Sequence, residues 1–122
     1  MAINIALLQP IHRFIGRKLN MELNEYQEIA DETRLPTADL EYLLLGFIGE
    51  IGEVYSLLAK NIRDETDVDN EKIKKELGDC LWFLATISAE FGLHLNDVAQ
   101  SNLDKLKSRK LRNVITGSGD DR

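Results

Sequence analysis

The stretch YLLLGFIGEIGEVYSLLA, residues 42–59, is apolar but for two acids, Glu50 and Glu53, and the stretch ELGDCLWFLATISA, residues 76–89, opens on another acid pair, Glu76 and Asp79. Apolar residues recur in both at helical spacing. An i,i+3 pair sets two side chains side by side on one helix face, with Cβ atoms about 5–6 Å apart. On a wheel of about 100° per residue, Glu50 and Glu53 share a face with Leu43, Gly46 and Leu57, which predicts acids that point inward. No Lys or Arg stands three or four residues from either acid. An unpaired buried carboxylate is costly, so the chain must supply a partner from elsewhere or bind a metal ion. Lys72 and Lys75, one turn before Glu76 and Asp79, are spaced for weak i,i+4 pairs worth about 0.3 kcal/mol.

The same period on either side predicts an all-α fold, an antiparallel helical bundle. A short helix is expected over 22–33 and a long one over 39–62 with Asp39 as its N-cap. The loop RDETDVDN (63–70) ends it. A second long helix is expected over 71–91, capped by Asn70 and followed by Gly92 where a C′ glycine belongs, and a last one over 96–111. Residues 1–20 read as an N-terminal extension with no assigned chemistry, 21–112 as the helical domain, and 113–122 as a flexible tail, because TGSGDDR (116–122) lacks apolar residues.

A chain of 122 residues suits one domain and buries a core without disulfides. The single cysteine, Cys80, lies beside Leu81 and Trp82 and reads as a packed thiol in a reducing, cytoplasmic setting. A net charge of −6 argues against a nucleic-acid polymer as partner, although Lys105, Lys107, Arg109, Lys110 and Arg112 form one basic segment. Glu50 and Glu53 interrupt the longest apolar run, so no membrane span is expected. Residues 1–9 are apolar but lack a basic leading region and a small-residue cleavage site, so no secretory signal is expected either.

Two antiparallel helices joined by a short loop bring the acid pairs face to face. Four carboxylates make an all-oxygen site, which suits Mg²⁺ with Mn²⁺ as a substitute. Mg²⁺ commonly bridges carboxylates to substrate phosphates, so hydrolysis of a phosphorus–oxygen bond is the natural reaction class. Each feature has a plainer reading. Acid pairs also lie on solvated helix faces, Gly46, Gly49, Gly52 and Gly78 also serve tight helix packing, and the bases of 102–112 also suit a helix C-terminus. His12 and His94 are lone histidines outside any E-x-x-H spacing, so a ferritin-like di-iron centre lacks its ligands. Trp82 and Phe83 read as core rather than as a platform for a base.

The E-x-x-E of GEIGE (49–53), then after 22 intervening residues the E-x-x-D of ELGD (76–79) followed by LWFLA, resembles the MazG-like all-α nucleoside triphosphate pyrophosphohydrolases. The likeness runs from about Tyr26 to Arg122, through EYQEIADET, LHLNDVAQSNLDKLKSR and GSGDDR. The resemblance implies Glu50, Glu53, Glu76 and Asp79 as Mg²⁺ ligands, with Glu50 or Glu53 as general base. It also implies Lys60, Lys105 and Arg109 as phosphate contacts and Asn102 as a contact to sugar or phosphate. Such enzymes hydrolyse (deoxy)nucleoside triphosphates to the monophosphate and pyrophosphate, a house-cleaning activity, and assemble as homodimers or homotetramers. This chain departs from the pattern in the segment before Met21, at Gly49, where some relatives carry another Glu, and at Asn113, where many read Gly. Two other readings remain: a non-catalytic helical interaction module in which the acids fix helix register, and a narrow dUTP or dCTP hydrolase of the same architecture.

Overall fold

The computed structural model describes residues 21–114 and 116, so the N-terminal extension with His12 and most of the tail lie outside the described residues. Four helices follow in order: α1 (Leu23–Glu32), α2 (Leu40–Asp64), α3 (Asn70–Glu90) and α4 (Leu95–Leu111). Among the described residues there is no strand, and the all-α expectation holds. Asp39 caps α2 as expected, its carboxylate accepting from Tyr42 N–H at 2.9 Å. The cap of α3 is Asp69 rather than Asn70, with a carboxylate oxygen accepting from Glu71 and Lys72 N–H. Both residue types cap well; α3 begins one residue earlier than the sequence suggests.

α2 and α3 form an antiparallel hairpin closed by Glu65–Asp69. Glu65 takes a left-handed backbone (φ 51°), a conformation unfavourable for a residue with a Cβ. Asn61 ties the turn down by donating to Thr66 Oγ1 (2.9 Å) and to the Asp67 carbonyl (2.7 Å). α3 ends on Gly92 (φ 67°), with Gly92 N–H donating to Ala89 O and Leu93 N–H to Ser88 O. This paired closure is the Schellman ending, and glycine meets its left-handed position without strain. α4 closes the same way on Asn113 (φ 57°), bonding back to Lys110 O and Arg109 O. Asn is the residue that best replaces glycine there, which accounts for the departure at 113.

Two apolar clusters meet at Trp82. Leu43, wholly buried, Ala38 and Phe83 join α2 to α3, while Ala30, Ala85 and Leu95 join α1, α3 and α4. The Trp82 ring stands edge-on to Phe83 at 4.9 Å, and its indole N–H donates to Ala30 O and Thr33 Oγ1. Both aromatics therefore belong to the core. α1 is fixed by Gln27, only 6% exposed: its amide donates to Ala85 O (3.1 Å) and Leu93 O (2.9 Å), and its carbonyl accepts from Leu95 N–H (2.9 Å). α1 and α2 both pack on α3 without packing on each other, and α4 packs on α1 and α3 but not on α2.

α2 is long and apolar enough by length and composition alone to cross a membrane. Glu50 and Glu53 sit at its middle, where each would cost roughly 2.5–3.5 kcal/mol in a bilayer, and α2 serves instead as one arm of the hairpin. Its outward side is apolar too: Leu44, Ile48, Ile51, Tyr55 and Ile62 are exposed, as are Leu77, Leu81 and Leu84 on α3.

Gly46 faces Phe83 so closely that an added Cβ would collide with the ring, whereas a Cβ on Gly78 meets nothing within 4 Å. Gly46→Ala is therefore expected to lose about 1–3 kcal/mol of stability from overpacking. Gly78→Ala should be neutral or gain up to about 1 kcal/mol from helix propensity. Urea unfolding of the two variants in the metal-free protein measures both.

Candidate metal centre

The hairpin that sets Gly46 against Phe83 carries the next turn of α2 toward the first half of α3. There Glu50, Glu76 and Asp79 each bring a carboxylate oxygen within 4.8 Å of the other two. Glu50 and Glu76 are half-buried and Asp79 is exposed. Two oxygens on opposite sides of one Mg²⁺ stand about 4.2 Å apart, twice the 2.0–2.1 Å bond length. Small side-chain rotations would close this group onto one ion.

Glu53 is exposed and stands outside the group of three, which corrects the expectation that both α2 acids point inward. Three residues after Glu50, it falls about 60° short of a full turn round the helix. Its charge still reaches Glu50. Burial raises the Glu50 carboxyl above its ordinary 4.5, and the carboxylates of Asp79, Glu76 and Glu53 raise it further, in that order. Among the described residues no ion pair or hydrogen bond offsets these acids: Lys72 turns back to Asp69 at 3.8 Å, and neither it nor Lys75 forms the i,i+4 pair that the spacing allows. A hard-oxygen cluster with no compensating cation has the chemistry of a divalent-ion site.

The Cys80 thiol, half-buried beside Asp79, is also pushed up, by burial and then by Glu50, Asp79 and Glu76. The phenol of Tyr26 on α1 is also raised, by burial first and by the charge of Asp79 second. No local sequence signal marks it, because Tyr26 lies fifty positions before Glu76. The expected phosphate contacts are more scattered. Lys60 is exposed about 15 Å along α2 from Glu50. Asn102 (exposed), Lys105 (half-buried) and Arg109 (buried) lie on α4, a helix that does not pack on α2.

The sequence model of the MazG nucleotide pyrophosphohydrolase domain matches residues 38–113, the span that holds both acid pairs. The chain belongs to the MazG family. A curated relative, the Gene 37 protein of Mycobacterium phage L5, is 37% identical over 114 residues, covering 84% of this chain and 100% of the relative. No solved structure matches the chain. Membership of the MazG family suggests a nucleotide pyrophosphohydrolase, and it agrees with a metal-dependent site at the acid cluster.

A carboxyl whose pKa is raised by folding binds its proton more tightly folded than unfolded. Its contribution to stability is fully present below the ordinary 4.5 and is lost as pH rises through the raised folded-state value. The metal-free MazG protein should therefore lose more stability than Glu50→Gln as pH rises from 4.5 through that window. Saturating Mg²⁺ or Mn²⁺ should reverse the difference, because ligands must be deprotonated to bind and a bound ion stabilises the fold. Thermal unfolding of both proteins across pH, with and without metal, reads this directly.

Proposed function

We propose that this MazG protein hydrolyses (deoxy)nucleoside triphosphates to the monophosphate and pyrophosphate with Mg²⁺, Mn²⁺ serving as a substitute, and clears modified or surplus nucleotides from the cytoplasmic pool. The observation that carries the reading is the convergence of Glu50, Glu76 and Asp79, without a compensating cation among the described residues, inside the span matched by the family. These three carboxylates would hold the ion. Mg²⁺ bound there would neutralise charge on the phosphates and make a water more acidic.

The remaining work falls to the chain. Glu53, outside the group of three but one turn from Glu50, would take a proton from the attacking water; Glu50, whose pKa is raised by burial, is the other candidate. Water oxygen bonds to the α-phosphorus, the bond from that phosphorus to the bridging oxygen breaks, and pyrophosphate leaves. Lys60, Lys105 and Arg109 would meet the phosphates and Asn102 the sugar or phosphate. α4 does not pack on α2, so the α4 residues would reach a nucleotide on α2 and α3 through a second copy of the chain or by extension of long side chains. A homodimer or homotetramer also suits the outward apolar row of Leu44, Ile48, Ile51 and Tyr55, the last 74% exposed.

A Mg²⁺-dependent panel of common and modified nucleoside triphosphates, with products separated by chromatography, tests the activity. Wild type should yield monophosphate and pyrophosphate. Glu50→Gln, Glu76→Gln and Asp79→Asn should each lose at least about 10²-fold in kcat. Glu53→Gln should lose kcat while keeping the Mn²⁺-induced rise in Tm, the split expected of a base that is not a ligand. No turnover of any nucleotide with either metal would favour the interaction-module reading. For assembly, Ile48→Lys with Ile51→Lys should lower the mass measured by sedimentation; an unchanged mass would remove this row from the interface.

A further inference from the structure

Among the described residues, Gly49, Gly52, Gly78 and Gly92 each leave open space where a Cβ would stand, and Gly46 alone does not. A Cβ on Gly46 would lie under 3.0 Å from two carbons of the Phe83 ring, against an optimal separation of about 3.5–4.0 Å. The ring has little room to give. Phe83 is 7% exposed, shares a cluster with Ala38 and Leu43, has Phe47 and Ile87 packed against that cluster, and meets Trp82 edge-on at 4.9 Å. Relief of a clash here therefore falls on the distance between α2 and α3, by roughly 0.5–1 Å.

The contact stands one turn from the acids on both helices. Gly46 comes four residues before Glu50, and Phe83 four residues after Asp79, about 6 Å along either axis. A helix carries a displacement over so short a distance with little loss. Asp79 has the shortest side chain of the three acids and so follows a moving neighbour least, which leaves its separation from Glu50 to the backbones. Opposite oxygens stand about 4.0–4.2 Å apart round Mg²⁺ and about 4.6–5.2 Å apart round Ca²⁺, twice the respective bond lengths. The difference, roughly 0.4–1.2 Å, matches the displacement that one methyl group at position 46 would impose.

We propose that the Gly46–Phe83 contact is the gauge of the metal centre, holding α2 and α3 at the separation where Glu50, Glu76 and Asp79 fit an ion of the size of Mg²⁺ in preference to the larger Ca²⁺. Gly46 and Phe83 are positioning residues that act on the ion through the carboxylates. The proposal rests on the metal-site reading above.

The test is calorimetric titration of the metal-free protein with Mg²⁺ and with Ca²⁺, alongside the Tm in each ion. Wild type should bind Mg²⁺ more tightly than Ca²⁺. Gly46→Ala is expected to weaken Mg²⁺ about tenfold while Ca²⁺ stays within about threefold, the scale on which residues supporting metal ligands act. Phe83→Leu shortens the ring, and combined with Gly46→Ala it should return the ratio of the two affinities to within about threefold of wild type, a non-additive rescue expected of side chains in contact. Leu95→Ala, a truncation in the other core cluster, should lower the Tm and leave the ratio unchanged. Equal weakening of both ions in Gly46→Ala overturns the proposal, as does the same change of ratio in Leu95→Ala, which would mark general loosening. A double variant that does not recover the ratio overturns it too. If Gly46→Ala is unfolded without metal, the ion that restores more folding gives the order: Ca²⁺ supports the gauge and Mg²⁺ overturns it. If neither ion folds it, the double variant decides, with wild-type preference in support and failure to fold against. A wild type that binds neither ion ends the metal-site reading and the gauge with it, whereas a wild type that prefers Mg²⁺ and a Gly46→Ala variant with the same ratio sink the gauge alone.

Discussion

Mutual repulsion among Glu50, Glu76 and Asp79 is the constraint around which the hairpin is built. Two unit charges 4.8 Å apart repel by roughly 1 kcal/mol in bulk water and about 3.5 kcal/mol at the effective dielectric near a protein surface. Nothing of opposite sign on α2 or α3 relieves this. The acids stay together because the apolar packing on either side of Trp82 holds the two helices in register, with Leu43 and Gly46 against Phe83 one to two turns from Glu50. Caps at Asp39 and Asp69 and the Asn61-bound turn fix where each helix starts and reverses. A site that is electrostatically unfavourable when empty is thus carried by packing that is indifferent to charge.

The two halves of the molecule are joined by different forces. α2 meets α3 through close apolar contact, in which a glycine lets a phenylalanine ring lie against the helix backbone. α1 meets α3 and α4 largely through directional bonds from Gln27, Asn24 and Trp82 to main-chain groups. Apolar contact tolerates small shifts; hydrogen bonds specify one alignment.

Most of the helical framework was legible in the sequence because its signals are local. Apolar periodicity, the Asp39 cap and the glycine at 92 mark the long helices within a residue or two. The start of α3 was less legible because Asp69 and Asn70 are both good caps in adjacent positions. The acid pairs were visible as pairs, yet their division was not. A wheel gives angles around one helix axis and not the direction of the neighbouring helix, so it cannot separate Glu50, half-buried and grouped with Glu76 and Asp79, from the exposed Glu53. Lys72 and Lys75 show the same limit: spacing allows a pair, and Asp69 at the cap competes for the lysine. That the charge of Asp79 reaches Tyr26 was invisible because nothing in a run of residues near 26 refers to a residue near 79.

Gln27 joins three chain segments at one side chain: α1, the middle of α3, and the turn that begins α4. Were α1 to detach, the Ala85 and Leu93 carbonyls and the Leu95 amide would each lose a partner in a place largely shut off from water. Such a helix cannot fray residue by residue along this side; it leaves or stays as one cooperative unit. Amide hydrogen exchange in α1 and at Leu95 would then follow a single opening free energy, distinct from that of the α2–α3 hairpin.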